Sequence, residues 1–282
     1  MLYFISGTTG SGKSVLAHEL AVKHNIKILS LDSMSVYKDL DILSDKPTKS
    51  MREEVQYYGL DLVNVDNNFS VFDYMSYLSE MELDKLSHSE DILAVGGTGL
   101  YFNAIVDQYR FRKIDTNYRD YLEKLSLDKL QEIYSKIDSN NKDIDINNKR
   151  RLIRAIESNN EIELDNIIDF KLPDNKIGIF WDHPEYIEKI ENRTYNMLKN
   201  GLVEEVNNLN SPSRTIQQAI GYKEALNIKD EITLINEINK KTYKLVKKQR
   251  TWFKKIKKLI YLNTNSSNRV ILSLKGLSDG RL

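Results

Sequence analysis

The segment Gly7-Thr8-Thr9-Gly10-Ser11-Gly12-Lys13-Ser14 fits G-x-x-x-x-G-K-[ST] at every position. It follows a short apolar run, residues 2–6, and opens a stretch whose apolar residues Val15, Leu16 and Leu20 recur at helical spacing. That context asks for a strand, a tight loop and a helix in succession, with loop N–H groups and a helix N-terminus converging on an anion. Lys13 adds a point charge, and the Ser14 hydroxyl can hold Mg²⁺. The motif promises a diphosphate or triphosphate. It does not by itself promise a nucleotide.

Further apolar runs at residues 26–31, 92–95 and 176–181 read as strands, and helical patterns follow at 100–106, 184–200 and 232–258. Pro184 opens the second of these helices and Gly201 stands just past its end. Residues 259–262 are again strand-like. Strands alternating with helices predict an α/β fold, a parallel sheet covered on both faces. Residues 110–173 differ, with charged helical pieces at 117–135 and 148–158 joined by the polar stretch 138–147, and without a buried-strand signal. The expected division is a core of residues 1–109 and 174–282 and a small, mostly helical insertion domain of residues 110–173.

Composition narrows the chemistry. The chain has 282 residues, enough for a large core, and no Cys, which excludes disulfides, thiolate zinc sites and cysteine nucleophiles. Its four scattered His argue against a His-only metal cluster. No apolar run approaches the roughly 18 residues of a membrane helix. The N-terminus lacks the basic flank and apolar stretch of a leader, so a cytoplasmic protein with no membrane partner is expected.

Asp32 ends the second strand at the sheet edge that carries the phosphate loop, where ligands of open α/β sheets bind. A general base, a Mg²⁺ ligand and a structural carboxylate all remain open for it. The strand at 92–95 ends in Gly96-Gly97-Thr98-Gly99, so no acidic residue follows it to activate a hydrolytic water. This weakens a motor or switch ATPase reading. The glycines let backbone approach a ligand and Thr98 offers a hydroxyl, although a tight turn explains them as well.

Although 41 Lys+Arg balance 41 Asp+Glu, the charge is segregated. Lys149, Arg150, Arg151 and Arg154 share one helical piece, with Arg110, Arg112, Lys113 and Arg119 upstream. The long C-terminal helix carries Lys240, Lys241, Lys244, Lys247, Lys248, Arg250, Lys254, Lys255, Lys257 and Lys258, interleaved with Tyr243, Trp252 and Phe253. A charge run is usually a solvated face, but two such clusters flanking a phosphate loop fit a nucleic-acid backbone better. Arg193 stands among acidic residues, where spacing alone favours a surface salt bridge with Glu188 or Glu191.

With these residues assembled, the chain resembles the bacterial tRNA dimethylallyltransferase family almost end to end. The phosphate loop is similar to the family's, and Asp32-Ser33-Met34-Ser35-Val36-Tyr37, Lys46-Pro47-Thr48 and Gly96-Gly97-Thr98-Gly99-Leu100-Tyr101-Phe102 look like its hallmarks. So do Arg151-Leu152-Ile153-Arg154, Gly201-Leu202-Val203-Glu204-Glu205, Gln218-Ala219-Ile220-Gly221-Tyr222-Lys223-Glu224 and Gln249-Arg250-Thr251-Trp252-Phe253. The resemblance implies a P-loop NTPase-like core that consumes no ATP. It implies that Gly7, Thr8, Thr9, Gly10, Ser11, Gly12, Lys13 and Ser14 hold the diphosphate of dimethylallyl diphosphate and its Mg²⁺.

The resemblance further implies that Asp32 is the base toward N6 of the tRNA adenosine beside the anticodon, with Thr9 and Arg193 assisting at the diphosphate. For Arg193 it replaces the salt-bridge reading. Asp32, Ser33, Met34, Ser35, Thr98, Arg119, Arg150, Arg151, Arg154, Gly221, Tyr222 and Lys223 match positions where the family touches the tRNA anticodon stem-loop. A monomer is expected. The chain departs from the pattern at Thr8 (usually Pro), Gly10 (Ala), Ser14 (Thr) and Ser35 (Gln), and Tyr57-Tyr58 replace a histidine pair whose role is not transferred. The alternatives are a small-molecule or nucleoside kinase, with ATP in the loop and Asp32 activating a hydroxyl, and a nucleic-acid-binding module with a structural phosphate site.

Overall fold

The structure, a computed structural model, describes residues 1–107, 109, 111–112, 116–137, 144–159, 167–168, 170, 176–257 and 259–271. Arg110, Lys113 and Lys258 of the basic clusters, and residues 138–143 of the polar stretch, lie outside the described residues.

In chain order the elements begin β1 (Leu2–Gly7), α1 (Lys13–His24), β2 (Lys27–Ser30), α2 (Lys49–Glu54), β3 (Tyr57–Tyr58), α3 (Val71–Glu80), α4 (Leu83–Ser89), β4 (Ile92–Gly96) and α5 (Gly99–Val106). They continue β5 (Phe111–Arg112), α6 (Thr116–Lys124), α7 (Leu127–Ser135), α8 (Lys149–Asn159) and β6 (Ile167–Ile168). The chain then forms β7 (Lys176–Asp182), α9 (Tyr186–Lys199), α10 (Leu202–Asn207), α11 (Tyr222–Asn227), α12 (Glu231–Phe253) and β8 (Ile260–Asn263). Two compact units result, Met1–Gln108 with Lys171–Leu282, and Tyr109–Phe170.

The first unit holds a six-stranded sheet, β3-β2-β4-β1-β7-β8, in which every pair is parallel. Parallel sheets are covered on both faces, and β4 is buried along its whole length. Successive side chains of β1 point to opposite faces. Ile5 packs in a cluster with Leu16 and Leu20 of α1. Its neighbour Phe4 meets Phe102 of α5 edge-on at 5.0 Å, Phe102 meets Phe253 of α12 at 5.5 Å, and Phe253 stacks on Phe180 of β7 at 4.7 Å. That aromatic column fixes α5 and α12 against one face.

The expected strands and the first and last helices form near the boundaries read from the sequence, but α12 stops at Phe253 rather than continuing to 258. The segment from α2 to α4 carries no helical signal in the sequence reading because α2 and α4 are only 6 and 7 residues long; α3 nonetheless carries a capping box in which Ser70 and Asp73 satisfy each other's N–H groups.

The second unit has its own core of Leu122, Leu130, Leu152, Ile153 and Ile156. Two expectations change there. The piece 117–135 is two helices, because Ser126 turns its hydroxyl to the Lys129 N–H at 3.3 Å and starts α7 afresh. The unit also contains an antiparallel ribbon of β5 and β6, two residues each and too short to leave a sequence signal. Among the described residues, no helix is long and apolar enough to cross a membrane.

Candidate active site

The phosphate loop leaves the central strand β1 at its carboxyl end. Gly10 and Gly12 take positive φ values of 80° and 88°, which side chains resist. Gly7 is needed for space, since a Cβ there would lie 2.5 Å from the Trp181 carbonyl oxygen. The Thr8 N–H donates to that same carbonyl, so β7 braces the start of the loop. Thr8 and Ser11 are fully buried, and their hydroxyls have no hydrogen-bond partner among the described residues. Ser14, by contrast, is exposed at the first turn of α1.

Lys13 lies inside this arrangement. Loss of solvent at its ammonium lowers the pKa to about 8, against the opposing pull of Asp32 and Asp45, while Arg193 lowers it further. One sheet edge therefore gathers Lys13, Asp32, Arg193 and Asp45 within electrostatic reach of one another. Arg193 does not pair with Glu188 or Glu191, as its spacing suggested; its Nε donates to Asp45 Oδ2 at 2.8 Å. Glu191 accepts instead from the Tyr243 hydroxyl at 2.9 Å.

Asp32 uses Oδ1 to accept the N–H groups of Met34 at 2.7 Å and Ser35 at 3.3 Å, an Asx turn that fixes the carboxylate. Among the described residues its Oδ2 takes no hydrogen bond. Below it lies a tyrosine layer, with Tyr74 and Tyr101 stacked at 4.2 Å and the Tyr74 hydroxyl donating to the Ser30 carbonyl at 2.5 Å. Burial raises both phenol pKa values, and the nearby Asp32 charge adds to the effect. The phenols are therefore neutral neighbours of that carboxylate.

Thr98 accepts the Ser33 N–H at 3.3 Å, which ties the loop after β4 to the Asp32 turn. The glycines of that loop are explained by close approach. A Cβ on Gly96 would meet the Leu31 carbonyl oxygen at 2.2 Å, and one on Gly99 would strike the Trp252 ring at 2.5 Å. Met34 is half-buried and Ser35 buried, so only part of this segment faces solvent.

The residues carrying Asp45 are held by two networks that the sequence did not disclose. Glu205 of α10 accepts the N–H groups of Asp41, Ile42 and Leu43 at 2.8, 2.7 and 2.8 Å. The buried Lys46 ammonium donates to the Tyr37 carbonyl at 2.6 Å, Asp41 at 3.0 Å and Asp61 at 2.6 Å, and Arg52 joins the same two carboxylates.

The basic segments divide. On α8, Leu152, Ile153, Ala155 and Ile156 face inward, while Arg150, Arg151 and Arg154 are exposed. Arg119 is held by Glu123 at 3.3 Å and Glu157 at 3.4 Å. On α12, Lys240 pairs with Glu237, Lys241 with Glu224, and Arg250 grips the buried Asp182 at 2.9 Å. Lys244, Lys247, Lys248, Lys254, Lys255 and Lys257 form no ion pair among the described residues. Phe253 packs on the sheet and Trp252 is 43% exposed. Gly221, with φ 100°, caps α11, Tyr222 is buried, and Lys223 faces solvent.

A Mg²⁺ ion with a substrate diphosphate needs only one or two protein oxygens. The exposed Ser14 hydroxyl, next in the chain to Lys13 at the first turn of α1, fits that donor set. Among the described residues no three His, Asp or Glu side chains gather as a metal site of their own.

A family model described as IPP transferase matches residues 35–256. The chain belongs to the IPP transferase family. Curated relatives named tRNA dimethylallyltransferase include one from Acetivibrio thermocellus, 32% identical over 96% of this chain and 95% of its own length. Another, from Thermoanaerobacter sp., is 35% identical over 90% and 88%. Among solved structures, the full-length tRNA isopentenylpyrophosphate transferase of Bacillus halodurans is 26% identical, with a TM-score of 0.70 covering 99% of this chain and 96% of that one. A eukaryotic dimethylallyltransferase solved acting on tRNA superposes with a TM-score of 0.78 at 23% identity, a likeness of fold, covering 100% of this chain and 80% of that one. The IPP transferase is thus an enzyme built on a P-loop NTPase-like parallel sheet, as its sequence led one to expect.

Proposed function

We propose that this IPP transferase moves a dimethylallyl group from dimethylallyl diphosphate to N6 of the adenosine 3′ to the anticodon, position 37, of tRNA, releasing diphosphate. The observation that carries the reading is the juxtaposition of a free Asp32 oxygen with the Lys13 and Arg193 cations at one sheet edge. It pairs a base with a leaving-group site.

An exocyclic adenine amine is a poor nucleophile because its lone pair is delocalised into the ring. As the N6–C1 bond forms, Asp32 Oδ2 takes the N6 proton. The C1–O bond breaks, and negative charge collects on the departing diphosphate, where Lys13, Arg193 and the loop N–H groups stabilise it. Thr9 belongs to that cradle through its hydroxyl, since its N–H is held by Gln249. Arg193 is already held near the site by Asp45, so the incoming diphosphate exchanges a carboxylate partner for phosphoryl oxygens. Ser14 would hold a Mg²⁺ ion, which would supply further charge neutralisation at the diphosphate.

The adenine must leave its stack to reach Asp32, at a cost of a few kcal/mol. Phosphate contacts from Arg150, Arg151 and Arg154 of α8 and from the unpaired lysines of α12 offset it in this reading. Thr98, Ser33, Met34 and Lys223 also contact the anticodon stem-loop, Arg119 does so once released from its carboxylates, and the enzyme acts as a cytoplasmic monomer.

The test incubates the protein with Mg²⁺, labelled dimethylallyl diphosphate and bulk bacterial tRNA in the absence of ATP. Label in tRNA is expected. No transfer, with ATP-dependent phosphorylation of a small metabolite in a parallel assay, would return the loop to a nucleotide and overturn the reading.

A further inference from the structure

In a phosphate loop, inward N–H groups ordinarily wait for an anion. Here one N–H of the loop is engaged by a distant side chain. The Thr9 N–H donates to Gln249 Oε1 at 2.9 Å, across 240 residues of sequence. The other end of the same carboxamide, Nε2, donates to the Gly97 carbonyl at 3.2 Å. Gln249 is 8% exposed, and Gly97 makes room for it: a Cβ at residue 97 would lie 2.3 Å from Nε2.

The connection continues to the base. Gly97 is followed by Thr98, which accepts the Ser33 N–H, and Ser33 follows Asp32. One carboxamide therefore joins the loop that receives the leaving group to the loop that aligns the carboxylate. Its own position is fixed from both sides. Arg250 grips Asp182 with Nε at 2.9 Å from each oxygen, and Phe253 sits 2% exposed in the aromatic column. Among neutral side chains of this length, only a carboxamide can accept at one end and donate at the other.

We propose that Gln249 is a positioning residue that sets the phosphate loop at a fixed distance from Asp32, so that diphosphate leaves along the line on which N6 arrives. The inference rests on the transfer reading above. Misplacement of reacting groups by about 1 Å can cost on the order of a hundredfold in rate.

The experiment compares wild type with Gln249→Met, which keeps length and bulk but removes both hydrogen bonds, and with Gln249→Glu, which keeps the acceptor and loses the donor. For Gln249→Met, kcat is expected to fall about a hundredfold. Its affinity for inorganic diphosphate, measured by calorimetry, is expected to fall about tenfold, with KM for tRNA within about twofold of wild type. For Gln249→Glu, the ratio of its kcat to that of wild type is expected to rise as pH falls from about 8 to 5, because burial beside the Gly97 carbonyl raises the introduced carboxyl above its ordinary range and its protonation regains the donor.

A Gln249→Met protein with native circular dichroism and kcat within about threefold of wild type would overturn the proposal. Should Gln249→Met not fold, the Gln249→Glu ratio decides, and a ratio independent of pH overturns it. Failure of the transfer reading looks different, because then wild type itself labels no tRNA. In that case diphosphate affinity alone is the judge, and equal affinity in wild type and Gln249→Met overturns the inference.

Discussion

In the transfer reading Lys13 meets two demands that pull against each other: it faces a polyanion, and its ammonium is partly desolvated before that anion arrives. Its folded pKa of about 8 lies below the ordinary 10.5. Affinity for dimethylallyl diphosphate should therefore weaken as pH rises through about 8, and titration calorimetry of Lys13→Arg should lack that inflection. Without ligand the sign reverses for stability. Between about 8 and 10.5 the unfolded chain binds more protons at this residue, so the contribution of Lys13 to stability rises with pH. Urea unfolding of Lys13→Met should lack that part of the slope.

For Asp32→Asn, kcat should fall by about 10²–10⁴ with native circular dichroism and unchanged tRNA affinity; a loss under about threefold would remove Asp32 as the base. The place of Asp32, though not its role, was legible because a carboxylate ending a strand beside a phosphate loop has few places to be. Asp45 and Gln249 were not, since their partners lie 148 and 240 residues away and neither spacing nor composition pairs them.

At the level of elements, the turn carrying Asp45 depends on a carboxylate from another helix. Glu205 is the acceptor for three consecutive backbone N–H groups, and Glu205→Ala leaves them without it. The expected loss is about 2 kcal/mol in urea unfolding, at the scale of hydrogen bonds to a charged group. KM for dimethylallyl diphosphate should rise with it, because Asp45 orients Arg193.

The helix α8 was readable, with apolar and basic residues on opposite faces, and the structure buries the former and exposes the latter. The sequence stretch at 117–135 misled because its composition stays helical through Ser126, and only the cap shows the break. In α12 the basic run looked uniform, yet Lys241 and Arg250 are tied to Glu224 and Asp182, which lie outside that helix. A charge pattern cannot reveal which cations have partners from elsewhere.

For the molecule as a whole, tRNA affinity should fall steeply with salt, since phosphate contacts release counterions. Replacing Arg150, Arg151 and Arg154 together by Ala should weaken binding and flatten the plot of log affinity against log salt by about one per lost phosphate contact. An unchanged slope in filter binding would remove α8 from the interface. The parallel α/β character was legible from alternating runs. The strand order was not, because pairing between distant strands is decided by packing.

That order also has a consequence during synthesis. Gly7 and Thr8 are braced by Trp181, and Thr9 by Gln249, so the first active-site residues to leave the ribosome are among the last to be set. At about 5–20 residues per second, roughly 10–35 s separates Gly7 from Trp181. Until then the nascent chain holds an apolar strand without its second neighbour, a window in which a holding chaperone would find its target.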